Sequence, residues 1–230
     1  MNRKHFLKQS LQGLGAIVAL PAAVGACAKD DTLVPDTTSS SSSSTSGSCT
    51  LSPGETAGPY PIKTPAQLVR ENIISDRLGI ALLITITVQK QSDNCNPLAG
   101  VLVDLWHCDA GGNYSEYGSY TSVDFLRGRQ TTDANGKVSF ISIFPGWYPG
   151  RAPHIHLEVL SSSGTSLRVT QIAFPKEICD TVYSTTNYNG TADTLNANDG
   201  IFKDSLSGNM ADSITGNTTD GYTLLKTVVV

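Results

Sequence analysis

Six segments rich in β-branched and aromatic residues, each bounded by turn chemistry, constrain this chain more than any other feature. They lie at 81–88 (ALLITITV), 101–107, 137–143, 154–160, 167–174 and 222–230. Alternation at a period of two sends successive side chains to opposite faces, and such residues fit a pleated, half-buried surface. Glycine- and asparagine-bearing turns such as Asp133-Ala134-Asn135-Gly136 separate them. Strands this short cannot bury their apolar faces singly, so the expected fold is all-β, two sheets packed as a sandwich with long loops. Helix is scarce. Residues 65–69 read as a turn, 175–182 as a short helix begun by proline, and the polar stretch 185–219 as loop folded over the core.

Three regions follow from composition. Residues 2–8, NRKHFLK, approximate a twin-arginine export signal with Lys4 in place of the second arginine, and an apolar run over 14–26 follows. That run is too short for a stable membrane span and fits a signal segment. It ends in Val24-Gly25-Ala26-Cys27, which looks like a bacterial lipobox, so residues 1–26 are expected to be removed and Cys27 lipidated. An ordinary secretory signal with Cys27 incidental is the alternative. The expected location is therefore the bacterial cell envelope, with the membrane reached only through the lipid. Residues 27–48 are dominated by Ser and Thr and read as a flexible tether. Residues 49–230 suffice for one domain with a sizeable core.

The chain carries 16 basic and 20 acidic residues; loss of residues 1–26 removes Arg3, Lys4 and Lys8 and no acid, leaving 13 against 20, a net −7. An acidic domain without a Lys/Arg block argues against nucleic acid as a partner.

The chemistry concentrates at 146–159, GWYPGRAPHIHLEV, where His154 and His156 sit two apart on an expected strand and point to the same side. Tyr148 lies just upstream. A phenol oxygen with neutral imidazoles suits ferric iron better than zinc or magnesium. Such a pair alone also fits ordinary strand packing. The upstream run VLVDLWHCDAGGNYS (101–115) adds a strand, a glycine turn and Tyr114, and FLRGR (125–129) follows.

This ordered set resembles the intradiol ring-cleavage dioxygenases, non-haem iron(III) enzymes that open catechols between the two hydroxyls. The resemblance covers 49–230, includes ETAGPY (55–60) and DTLN (193–196), and is closest to the extracellular single-domain branch in its WHCDA, FLRG and PGWYPGR wording. It implies an Ig- or transthyretin-like sandwich, one Fe(III) per chain held by Tyr114, Tyr148, His154 and His156, and a small aromatic diol plus dioxygen as substrates. It further implies that Tyr148 leaves the metal as a base, that Arg151 and Gln171 act at the substrate, that Tyr60 borders the pocket, and that the product is a muconate-type dicarboxylate. Ala152-Pro153 reverses the family's more usual Pro-Ala before the histidines. The large helical dimerisation segment of the cytoplasmic catechol dioxygenases has no counterpart, and oligomeric state stays open.

Two other function classes stay in view. One is a different metalloenzyme using His107, His154 and His156 with zinc or ferrous iron; the other is a catalytically silent binding module on the sandwich. Beyond Cys27, four cysteines suggest two disulfides in an oxidising compartment. Cys95 and Cys108 flank one strand and lie too far apart to bond. The pairings left are Cys49–Cys95 with Cys108–Cys179, or Cys49–Cys108 with Cys95–Cys179. The first is preferred, because Cys108 precedes the Tyr114 turn and Cys179 follows a strand expected beside the metal.

Overall fold

The computed structural model describes residues 49–230. The export signal, Cys27 and the Ser/Thr tether lie outside the described residues. Within them the chain forms two sheets. The first joins β1 (Ala81–Lys90), β2 (Asn96–Pro97), β5 (Lys137–Ile143), β8 (Ser213–Asn217) and β9 (Gly221–Val229) in the order β2-β1-β9-β8, with β5 also on β1. The second runs β4-β3-β6-β7, formed by Arg127–Thr131, Leu102–Trp106, His154–Leu160 and Ser166–Ala173.

Alternation decides which faces meet. Along β1, Leu82, Ile84, Ile86 and Val88 are fully buried while the residues between them are only partly covered. They join Val103, Leu105, Ile155, Leu157, Val159 and Ile172 of the second sheet in one core. Each such side chain contributes about 1.5–3 kcal/mol by leaving water. Because the odd-numbered residues of β6 face this core, the pleat sends His154 and His156 to the outer face of the four-stranded sheet.

The expected strands appear within one or two residues of the sequence reading, and the helix spans Lys176–Tyr183 with Pro175 as its cap residue. A 3-10 turn covers Pro65–Gln67. The 185–219 stretch is not loop alone: it holds a helical turn, Leu206–Asn209, and β8. β4 was not expected either. Its sequence, RGRQT, has no apolar alternation, yet it pairs antiparallel with β3. Its charges are matched instead. Arg127 is fully buried and donates to the Ser115 hydroxyl, the Ser115 carbonyl and the Tyr60 carbonyl at 2.9, 2.7 and 2.9 Å. Arg129 meets both oxygens of Asp104 at 2.6 and 2.7 Å. Gly128 between them is required by close packing, since a Cβ there would lie 2.5 Å from Ile73 Cγ2.

Cys49 and Cys95 are bonded, closing a separation of 46 residues. The expected Cys108–Cys179 bond is absent: both are buried free thiols. Cys108 packs with Trp106 and Tyr114, whereas Cys179 sits in the main core on the helix Lys176–Tyr183. The Tyr183 phenol, donating to the Pro145 carbonyl at 3.0 Å, is close enough to feel both thiols. Burial pushes the Cys179 thiol up to about 12 and raises Cys108 as well. Both stay protonated and behave as small apolar groups.

Candidate metal centre

Strand register assembles the site. Trp106 of β3 stands opposite His156 of β6, and His156 stands opposite Gln171 of β7, so three neighbouring strands place these side chains in one row. The Trp106 indole stacks on the His156 imidazole with centroids 5.1 Å apart and planes 3° from parallel. A segment from the start of the domain covers the other side. Gly58, at φ +70°, passes so close that a Cβ would lie 2.8 Å from His156 Cε1, so both conformation and space demand glycine there.

Four side-chain atoms converge in front of this row. His154 Nε2 lies 3.2 Å from His156 Nε2, 3.2 Å from the Tyr148 hydroxyl and 3.4 Å from the Tyr114 hydroxyl. Separations of this size are the edges of a coordination polyhedron whose bonds are about 2 Å, the range of metal–imidazole bonds. The tautomer of His154 is fixed: its Nδ1 donates to the Ala152 carbonyl at 2.6 Å, so Nε2 turns an unprotonated lone pair into the cluster. Burial, with the Arg151 charge, pushes His154 down to about 3, and burial with His154 and Arg151 holds His156 well below its ordinary value. Both rings are therefore neutral.

The phenols of Tyr114 and Tyr148 are both raised, chiefly by burial. A bound cation reverses that logic by stabilising the phenolates. Two neutral imidazoles and two phenols around one point form a donor set with no positive partner of its own, apart from one guanidinium nitrogen. His156 Nδ1 is buried and has no hydrogen-bond partner. The residues fit a hard, highly charged ion with mixed nitrogen and oxygen ligands, as ferric iron requires.

Arg151 supplies that guanidinium nitrogen, and the surroundings aim it. Its Nε donates to Asp199 Oδ2 at 2.8 Å and one terminal nitrogen donates to Gln171 Oε1 at 2.6 Å, leaving the other 3.5 Å from His154 Nε2. Gln171 is held in turn by donating to the Thr56 carbonyl at 2.8 Å. Asp199 is fully buried. Burial alone would raise its carboxyl, but the bonds from Arg151, Ala152 and Ile201 hold it below the ordinary carboxylate value. Tyr60 stacks on Tyr114 with centroids 4.7 Å apart, while Tyr148 meets Tyr114 edge-on at 5.8 Å.

All seven residues singled out at this centre from sequence, Tyr60, Tyr114, Tyr148, Arg151, His154, His156 and Gln171, come together. His107 does not join them. Its Nδ1 bonds the Cys108 carbonyl at 2.8 Å and its Nε2 the Ser142 hydroxyl at 2.7 Å, so both nitrogens are occupied in the core. Among the described residues no group of three or more His, Cys, Asp or Glu side chains is placed to hold a metal. The three-histidine alternative is thereby removed. Sequence reasoning missed Asp199, Gly58 and Arg127. Asp199 lies 48 positions from Arg151, three residues past DTLN, which does not include it; Gly58 and Arg127 were visible inside ETAGPY and FLRGR but had no assigned contact.

Comparison with known proteins places the chain among dioxygenases. The Dioxygenase_C family model, described as "Dioxygenase", matches residues 57–199. The beta chain of protocatechuate 3,4-dioxygenase from Burkholderia cepacia is 33% identical over 117 residues, 46% of this chain and 50% of that one. A 52-residue stretch is 44% identical to catechol 1,2-dioxygenase 2 of Acinetobacter lwoffii, covering 23% of this chain and 19% of that one. The chain thus spans half or less of these relatives' length. Among solved structures, an intradiol ring-cleavage dioxygenase from Tetranychus urticae superposes with a TM-score of 0.71 at 31% identity, covering 79% of this chain and 94% of that one. The dioxygenase domain of a carbohydrate-binding fusion from Streptomyces sp. SirexAA-E gives 0.60 at 25% identity, with 79% and 98% covered.

Proposed function

This chain belongs to the intradiol ring-cleavage dioxygenase family, and from that premise we propose that it uses one ferric ion to cleave a catechol-type ring with dioxygen to a muconate-type dicarboxylate. The observation that carries the reading is the convergence of Tyr114, Tyr148, His154 and His156 at edges of 3.2–3.4 Å. Bound there, ferric iron would acidify the catechol hydroxyls and make the ring electron-rich toward oxygen.

The chain's own residues do the rest. Tyr148 is the less buried of the two tyrosines, so its oxygen, held as phenolate when the ion is bound, would be the one placed to accept a substrate proton. Tyr114, enclosed by Trp106 and Cys108, stays in place. The second terminal nitrogen of Arg151, 3.5 Å from His154 Nε2, faces the cluster, where a fixed cation stabilises anionic character developing on the substrate. Gln171, tied to both Arg151 and the Thr56 carbonyl, borders the same space. We further propose export and lipid anchoring through Cys27, on the strength of its lipobox-like setting.

The test is the visible spectrum of the iron-loaded protein. Tyrosinate bound to ferric iron absorbs in the visible, so the protein should be reddish and change hue when catechol is added without oxygen. A colourless preparation carrying one iron per chain refutes the reading.

A further inference from the structure

We propose that the substrate mouth selects uncharged catechols over carboxylated ones. The inference rests on the dioxygenase reading for its reaction but not for its binding preference. A recess of about 450 Å³ opens beside the donor cluster. It is walled by five tyrosines, Tyr60, Tyr114, Tyr117, Tyr120 and Tyr148, and completed by glycine, asparagine, serine and proline. Among the described residues, no charged side chain lines it. Its size falls among small-molecule pockets, and it leaves room for a ring bearing a substituent.

The wall is fixed rather than adaptable. Tyr117 donates its hydroxyl to the Pro61 carbonyl at 2.8 Å and meets Tyr60 edge-on at 5.2 Å. The cations nearest these rings among the described residues are already engaged by other groups. Lys63 lies over the Tyr117 ring at 4.1 Å while its ammonium donates to the Glu116 carbonyl at 2.7 Å. Arg127, 5.4 Å from that ring, is spent on Glu116, Ser115 and the Tyr60 carbonyl. Arg77, 5.6 Å from the Tyr120 ring, is paired with Asp76 and Asp109. Arg151 is divided between Asp199, Gln171 and the metal ligands.

A carboxylate on the substrate ring would therefore shed water against aromatic surface with no cation in the lining to pair with, which is unfavourable, while a methyl group at the same ring position would gain from it. The acidic net charge of the domain acts in the same direction by lowering the approach of anions. The preference runs opposite to the name of the Burkholderia cepacia relative, whose substrate is a carboxylated catechol.

The experiment compares two near-isosteric ligands, 4-methylcatechol and 3,4-dihydroxybenzoate, on the iron-loaded full chain. Binding is measured by calorimetry without oxygen, and oxygen uptake is measured separately. We expect 3,4-dihydroxybenzoate to bind more weakly by about tenfold or more, in line with what one unpaired polar group costs in a pocket. Ser119→Arg, at an exposed rim position that the reaction does not use, should narrow the ratio at low salt and lose that effect at high salt. Equal or tighter binding of the carboxylated ligand, or no binding of either, overturns the proposal. Absence of oxygen uptake with both ligands would instead count against the dioxygenase reading, and the binding ratio would still decide the pocket.

Discussion

At the scale of single residues, the site separates into groups that hold the metal and groups that aim other groups. Arg151→Ala should keep iron and colour yet lower turnover on the order of 100-fold, because it removes a charge stabiliser without removing a ligand. His154→Ala and His156→Ala should lose iron and activity together. Iron stoichiometry beside oxygen uptake tells the two phenotypes apart, and a fully active Arg151→Ala would remove that residue from the mechanism. Asp199 is a positioning residue: it occupies the Arg151 Nε and leaves a terminal nitrogen facing the cluster. Asp199→Asn gives up the charge pairing and one of the two acceptor oxygens that serve the Ala152 amide and the Ile201 and Phe202 amides, so kcat should fall about tenfold or more with the absorption band and KM nearly unchanged. An equal loss in kcat and in thermal stability, with the band displaced, would mean that Asp199 only supports the fold.

At the scale of elements, two features are tied down by covalent and steric means. The Cys49–Cys95 bond fastens the start of the domain to the turn after β1. Closing a loop of 46 residues is worth about 4 kcal/mol in the chain-entropy account, so Cys95→Ser should lower the urea midpoint clearly while leaving the metal centre formed. Cys108 and Cys179 should both be alkylated when the protein is unfolded without reductant, as read by mass spectrometry. Protection of both would restore the second disulfide. The segment that follows Cys49 carries Gly58 against His156, and its Glu55 amide donates to the Val169 carbonyl of β7 at 2.9 Å. Gly58→Ala should therefore strain the backbone and displace the ligand ring. Iron affinity is expected to fall at least about tenfold, measured by competition with a chelator.

At the scale of the whole molecule, the sandwich supplies a rigid outer sheet face on which strand register, not loop conformation, sets the spacing of the histidines. The proposed lipid anchor can be checked independently: wild type should incorporate labelled fatty acid and Cys27→Ser should not, with the variant leaving the membrane fraction. Equal labelling excludes Cys27 as the acceptor. Sequence determined the parts whose information is local. The alternation of 81–88 announced β1, the two-residue spacing of His154 and His156 put both on one face, and the turn-borne Tyr114 and Tyr148 declared their donor chemistry. The all-β sandwich followed because that many half-apolar strands must cover one another. Tertiary structure decided what depends on distant partners. It satisfied the buried charges of β4 that apolar periodicity cannot see, gave His107 two core partners, left Cys108 and Cys179 unbonded in separate clusters, and brought Asp199 to Arg151. The physical reason is shared: a polar or sulfur-bearing side chain is neutral to local periodicity, and its role is fixed only by which acceptor, donor or ring the folded chain carries to it across tens of residues.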